Sequence, residues 1–295
     1  IIIEQKAVLD SEDAGVKRGS LQEVEKYFNL PHAVIIAGIR RAGKSTFLRQ
    51  IMKYFKGGFY YFNFEDERLV DFSVSDFNAL YEIFIELYGD KKVFFFDEIQ
   101  NVKNWERFVR RMSDSGHKFF LTGSNASLLS RELGTRLTGR HISQTLFPFS
   151  FEEYLAFKNF KRGKNDFFDT KKRGIIKGHF NNYLREGGMP EYLRYGEKEA
   201  LKKVYNDILY RDIVSRYEIR EVKTLRELAL YLASNLGAFF SYNGLKKFLG
   251  LGSAATAKAY VDHLENSFLF FSLNIYSPSI KKQLVANKKI YCADN

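Results

Sequence analysis

The feature that most constrains this chain is the run Gly38-Ile39-Arg40-Arg41-Ala42-Gly43-Lys44-Ser45, which matches G-x-x-x-x-G-K-[ST] at every fixed position. Each residue type has a physical reason. Gly38 and Gly43 let the backbone curl so that successive N–H groups converge on phosphate oxygens. Lys44 would reach the β- and γ-phosphates of ATP, and the Ser45 hydroxyl would ligate Mg²⁺. Thr46 completes the nucleotide-binding stretch at the start of a helix whose positive end faces the same anion. Such a loop works only between a strand and a helix. Ala33-Val34-Ile35-Ile36-Ala37 before it is an apolar, β-branched run suited to a buried parallel strand. After it, Phe47, Leu48, Ile51, Met52 and Phe55 fall at helical spacing.

A second site follows from Lys91-Lys92-Val93-Phe94-Phe95-Phe96-Asp97-Glu98. An apolar run ending in a carboxylate is the Walker B pattern: a buried strand delivers Asp97 to Mg²⁺ beside Ser45. Glu98, directly after it, is placed to orient and polarise an attacking water. A third run, Phe119-Phe120-Leu121-Thr122-Gly123-Ser124-Asn125, ends another strand in small polar residues at the level where parallel sheets bind ligands. Ser124 or Asn125 would sense the water or the γ-phosphate, and the two-sided amide favours Asn125. Gly58–Phe64 and His141–Phe147 read as further strands, with helical patterns at Phe77–Leu87 and Trp105–Met112. This alternation predicts a doubly wound parallel α/β ATPase domain over residues 1–150. Arg136 and Arg140, just before the fifth strand, are candidates to reach a γ-phosphate, their own or a neighbouring subunit's.

These residues carry a family resemblance. Gly-Ile-Arg-Arg-Ala-Gly-Lys-Ser, Phe-Phe-Phe-Asp-Glu-Ile-Gln, Leu-Thr-Gly-Ser-Asn-Ala and Leu-Thr-Gly-Arg, in this order, resemble the prokaryotic AAA+-type ATPases that carry a C-terminal domain of unknown function. The resemblance continues in Tyr183-Leu-Arg-Glu-Gly-Gly-Met-Pro-Glu-Tyr192, Tyr210-Arg-Asp-Ile213 and Lys289-Ile-Tyr-Cys-Ala-Asp-Asn295. It implies an additional-strand ATPase sheet with a catalytic glutamate, and an Asn63 that restrains Glu98 until a partner binds. Family members often continue into a nuclease-like domain; no nuclease residue is assigned here. The start at Ile1 rather than Met, and the abrupt end after Cys-Ala-Asp-Asn, lead us to expect native residues missing at both ends.

Net charge is +11, unevenly spread: residues 1–150 hold 21 Lys+Arg against 19 Asp+Glu, a net of +2, and residues 151–295 hold 25 against 16, a net of +9. The basic half suits a polyanion, and charge alone gives equal weight to a merely solvated, lysine-rich surface. The single Cys292 excludes an intramolecular disulfide and fits a reducing compartment; with no membrane-length apolar run and no signal pattern, a cytoplasmic location is expected. Residues 151–223 read as a mostly helical lid or linker region, broken by the turn Gly187-Gly188-Met189-Pro190. Residues 224–295 read as a winged-helix-like domain. Its elements are a stripe of Leu225, Leu228, Leu232 and Leu236, a helix Tyr242–Leu249 capped by Ser241, and a third helix near Ser253. Strands Phe268–Tyr276 and Lys288–Cys292 then flank a Lys281-Lys282 loop. If this module binds double-stranded DNA, Ser253, Thr256 and Lys258 lie near bases or phosphates, and Lys246, Lys247, Lys281 and Lys282 flank the backbone. Asp262 and Glu265 on the same helix, and its lack of arginine, weigh against DNA and toward a protein partner.

The leading expectation is therefore an ATP-hydrolysing switch or motor whose turnover moves a basic C-terminal half, acting on or with DNA. The alternative is a nucleotide-gated binding or scaffold protein with little turnover and a protein client. A small-metabolite kinase is disfavoured by the Asp97-Glu98 pair. A homo-oligomer is compatible with the sequence, and would let Arg136 or Arg140 act across subunits.

Overall fold

The computed structural model describes residues 1–126, 137, 139–163, 165–166 and 168–294. They form two compact units, Ile1–Gly38 with Ala42–Tyr183, and Ile39–Arg41 with Leu184–Asn295. The boundary falls inside the helix Thr170–Glu186, so the helical region expected over residues 151–223 is shared between the units.

The first unit is built on five parallel strands, β1 (Ala33–Ala37), β2 (Tyr60–Asn63), β3 (Val93–Asp97), β4 (Lys118–Gly123) and β5 (His141–Thr145), in the order β2-β3-β4-β1-β5. β4 stands between β1, which leads into the phosphate loop, and β3, which ends in Asp97. That is the inserted strand of an additional-strand ATPase sheet. Helices α1 (Ile2–Ser11), α2 (Leu21–Glu25), α3 (Lys44–Met52), α4 (Phe77–Tyr88) and α5 (Trp105–Asp114) complete the layers before β4. β1 and β4 are buried along their whole length, as central parallel strands must be.

Several of the 29 phenylalanines pair across the strands of the sheet. Phe94 is in register with Phe119, and Phe95 with Phe120. Because side chains alternate between faces, these two neighbouring pairs stack on opposite sides, each with ring centroids 4.8 Å apart. A pair of this kind contributes about 0.5–1.5 kcal/mol beyond area burial. At the N-terminal end of β4, the buried Lys118 ammonium donates to the carbonyls of Tyr27, Leu30 and His32 at 2.6, 2.8 and 2.6 Å. It thereby fixes the segment that feeds β1. Burial pushes its pKa down to about 8.

Two sequence boundaries move. The fifth strand stops at Thr145 rather than Phe147, and its last link to β1 is the bond from the Leu146 N–H to the Ala37 carbonyl at 2.7 Å. The second strand shrinks from Gly58–Phe64 to Tyr60–Asn63.

In the second unit, short helices Pro190–Tyr195 and Lys198–Asp207 run into a π-helix, Ile208–Ser215. Next come the helices Val222–Ser234, Tyr242–Leu249 and Ala254–Asn266, and an antiparallel sheet of β6 (Phe239–Phe240), β7 (Phe270–Leu273) and β8 (Lys288–Cys292), ordered β6-β8-β7. Leu225, Leu228 and Leu232 pack in the core, as do Ala257, Val261 and Leu264. Leu236 leaves the stripe and is exposed, since its helix ends at Ser234. Lys281 and Lys282 lie on a short helix, Ile280–Val285, not on a loop. The turn at Gly187-Gly188 meets the last segment of the chain: Gly188 N–H donates to Asp294 Oδ1 at 2.8 Å. Among the described residues, no helix is long and apolar enough to cross a membrane.

Candidate active site

The C-terminal ends of β1, β3 and β4 lie side by side, with Ile36 opposite Thr122 and Ala37 opposite Gly123. This brings residues 38, 42–46, 97–98 and 122–125 to one edge of the sheet. The loop leaves β1 at Gly38. A Cβ there would sit 2.1 Å from the Leu146 carbonyl oxygen, so glycine is required by the passing backbone. Ala42 is buried. Gly43, at φ 92°, turns the chain into α3, which begins at Lys44 and carries Ser45 and Thr46 in its first turn. The loop's own N–H groups and that helix start supply anion donors without any side chain.

The charged groups here are almost fully enclosed: Lys44 is 4% exposed, Asp97 1% and Glu98 8%. Lys44 Nζ donates to Gly38 O at 3.2 Å and stands 3.5 Å from Glu98 Oε1. Thr122 Oγ1 donates to Asp97 and accepts the Glu98 N–H at 3.0 Å. Ser45 and Tyr61 also hydrogen-bond the Asp97 carboxyl. Burial and then the Glu98 charge push Asp97 above its ordinary pKa, against the hydrogen bonds from Thr122 and Ser45 and the Lys44 charge. Burial, followed by the Asp97 charge, drives the Tyr61 phenol strongly upward, so it remains a neutral donor. Glu98 itself has φ 51°, a left-handed turn that swings its side chain out of β3 and into the site.

Ser124 and Asn125 follow β4 directly and are 1% and 4% exposed. Both therefore sit beside the loop, since Gly38 N–H bonds the Gly123 carbonyl at 3.3 Å. Ile39, Arg40 and Arg41 belong to the second unit. There, Arg40 forms a two-pronged pair with Asp212, both contacts 3.0 Å, and Arg41 pairs with Glu191. Asp212 is presented by the π-helix, an irregularity that often re-aims a functional side chain.

Two expectations change. Arg140 is level with the beginning of β1, its carbonyl accepting the Ala33 N–H at 3.0 Å, and its side chain pairs with Asp114. The full length of β5, roughly 16 Å, separates it from the loop, so it does not reach the γ-phosphate of its own chain. Arg136 lies outside the described residues. Asn63 does not touch Glu98: its Oδ1 accepts the Glu65 N–H at 2.9 Å, and its backbone pairs with the Gln5 side chain.

Sequence reasoning missed several supporting residues. Tyr61 is one; the period-2 alternation of β2 would have flagged it. Gln100 is another, its amide donating to Glu98 Oε2 at 2.5 Å. Arg18 has no local signal at all. It is 5% exposed and donates to the carbonyls of Ala42 and Phe147 and to Glu153 at 2.8, 2.5 and 3.0 Å, which braces the phosphate loop from behind.

A glycine-lysine-serine loop after β1, an aspartate–glutamate pair after β3 and an inserted β4 define a P-loop nucleotide-binding domain of the AAA type. Family comparison agrees: the AAA domain matches residues 31–155, and a Domain of unknown function (DUF8612) matches residues 177–295. The uncharacterized protein MJ1544 of Methanocaldococcus jannaschii is 35% identical over 303 residues, covering 99% of this chain and 68% of that protein. An uncharacterized protein of Haemophilus influenzae is 30% identical over 290 residues, covering 93% of this chain and 70% of its own length. The chain belongs to this family of AAA-type proteins. Among solved structures, the Aeropyrum pernix ORC1 protein in complex with DNA is similar at a TM-score of 0.39 and 11% identity, over 98% of this chain and 93% of that one.

Proposed function

We propose that this protein binds and hydrolyses Mg-ATP and uses the cycle to reposition a basic C-terminal half that acts on DNA. The observation that carries the reading is the cluster of buried Lys44, Asp97 and Glu98 with half-buried Ser45 on one edge of the sheet. Loop N–H groups and Lys44 bind the phosphates. On ATP binding, Lys44 exchanges part of its Glu98 contact for phosphate oxygens. Ser45 and Asp97 fit Mg²⁺ by donor chemistry: a hydroxyl and a carboxylate already share a hydrogen bond, and the carboxylate is buried beside a second one, Glu98, whose charge a divalent cation would offset. The ion would neutralise charge developing on the β- and γ-phosphates. Glu98 takes the proton of the attacking water. Ser124 and Asn125, at the end of β4, are placed to report whether a γ-phosphate is present. Arg140, excluded from its own site, is assigned to a neighbouring subunit's.

The DNA part rests on the second unit. Helices Val222–Ser234, Tyr242–Leu249 and Ala254–Asn266 followed by β7 and β8 support the winged-helix-like reading, with β6 and the helix Ile280–Val285 added to the order read from the sequence, and Lys247, Lys258, Lys281 and Lys282 are exposed. Ser253 and Thr256 are less available to bases than the sequence suggested, because the Ser253 hydroxyl caps the Thr256 N–H at 3.0 Å. A second reading, a protein client with little turnover, is favoured by Ile280, Leu284 and Val285, which are 71%, 65% and 78% exposed on the same short helix as the lysines.

Steady-state turnover of wild-type and Glu98→Gln protein, with and without duplex DNA, tests both. We expect Glu98→Gln to retain ATP and lose turnover about 10²–10⁴-fold. DNA should stimulate the wild type, and increasingly so as salt falls. Wild-type turnover in Glu98→Gln would refute the assigned base. Stimulation absent at every salt concentration would transfer the second unit to a protein client.

A further inference from the structure

Glu98 is held by more than Lys44. The left-handed turn at Glu98 runs into the 3₁₀ turn Ile99–Asn101, which brings Gln100 back alongside the residue two before it. Gln100 Nε2 donates to Glu98 Oε2 at 2.5 Å and lies 3.4 Å from Ser124 Oγ. One amide thus touches both the carboxylate after β3 and the hydroxyl after β4. The other end of the same amide is in a different condition. Gln100 Oε1 is buried, and no described group donates to it. A buried carbonyl acceptor left this way is costly unless a donor reaches it. Asn63, the residue the family resemblance assigned to controlling Glu98, is committed elsewhere.

We propose that Gln100 is a positioning residue for hydrolysis, its Nε2 fixing the Glu98 carboxylate and its Oε1 accepting one hydrogen of the attacking water while Glu98 accepts the other. This rests on the reading of Glu98 as the catalytic base. A water has two protons to give, and two fixed acceptors define the direction of its lone pair, whereas a carboxylate alone leaves the molecule free to swing. The proton balance is simple: one water proton passes to Glu98, the hydroxide oxygen forms the bond to the γ-phosphorus, and the β–γ bridging oxygen leaves with ADP. The proton that faces Gln100 stays on the attacking oxygen. The Ser124 contact gives the arrangement a second anchor on β4, so that Glu98 and the end of β4 are set in one step.

The test is Gln100→Met, which conserves length and volume and removes both hydrogen-bonding ends. We expect kcat to fall about 10–100-fold with KM for ATP unchanged, as for an interaction made only in the transition state. Affinity for ADP should stay at the wild-type level. Affinity for ADP with aluminium fluoride, which mimics the transferring phosphoryl group with its in-line water, should fall by a similar factor. A merely structural role would weaken ADP and ADP–aluminium fluoride together, and that outcome overturns the proposal. Unchanged kcat in Gln100→Met overturns it as well. Glu98→Gln in parallel separates the two failures: turnover retained there removes the base assignment itself, whereas turnover lost there but not in Gln100→Met removes only Gln100.

Discussion

The enclosed edge of the first unit and the lysine surface of the second handle charge in opposite ways. In the first, Lys44, Asp97 and Glu98 are out of water and each faces another member of the group. In the second, Lys247, Lys258, Lys281 and Lys282 point into solvent, and Asp262 and Glu265 share a helix with one of them. A buried charge must be matched atom by atom, because an unmatched one is expensive. Its neighbours therefore spell out the chemistry. An exposed lysine is satisfied by water, so a cluster of them states the sign of a partner and little else. The difference explains why the catalytic reading can name a base, while the basic half can name only a class of ligand.

The sharpest way to break this contrast is to disturb the enclosed edge without touching a charge. Gly38→Ala places a methyl 2.1 Å from a backbone oxygen that has no freedom to move aside. We expect a loss of about 3 kcal/mol or more of stability, read as a lower urea midpoint, together with loss of nucleotide binding. An alanine that left both unchanged would mean that the loop is far more pliant than its packing implies. The second unit offers the converse experiment. Lys281→Glu combined with Lys282→Glu should leave ATP turnover without DNA unaltered. It should weaken duplex binding and lower the slope of log affinity against log salt by about 2, one unit per lost phosphate contact. An unchanged slope would take those lysines out of the DNA surface.

The smallest effect concerns protons. His117, His141 and His263 all have pKa values lowered by burial. Below the ordinary histidine value of 6.5, the unfolded chain therefore binds more protons than the folded one, so stability falls as pH drops through that range toward the folded values. His117→Gln should flatten this fall, measured as urea midpoints at pH 7.5 and 5.5. A slope identical to wild type would assign the acid sensitivity to the other two histidines.

Most of the first unit was legible because its signals are local. β1 to β4 are apolar or aromatic runs, Lys44, Asp97, Glu98 and Asn125 stand at or just after strand ends, and the helix after Gly43 declares itself by spacing. Helix Tyr242–Leu249 and strand β8 were equally plain, bounded by Ser241, Gly250 and the change of hydrophobic period. What escaped was whatever depends on partners far along the chain. Arg140 read as a γ-phosphate ligand because it lies near a strand. Only the parallel pairing of β5 with β1 shows that it stands at the wrong end for its own site. Gln100 stood inside a quoted motif, yet its role needs the left-handed turn at Glu98, which no residue type there advertises. β6 was missed because two residues carry no period.

Arg18 has a practical consequence for anyone cutting this chain into pieces. The recognisable AAA domain begins at residue 31, and a fragment started there would look complete by motif. It would nevertheless lose the guanidinium that occupies Glu153 and the carbonyls of Ala42 and Phe147. It would also lose the backbone at Ala14, Val16 and Arg18 that engages the Gln50 amide. Removing one member of a buried ion pair costs about 3–5 kcal/mol, a large share of what holds a domain of this size together. The natural unit of manipulation therefore starts upstream of its own signature, and an inactive fragment lacking residues 14–19 would say nothing about whether the intact chain is an enzyme.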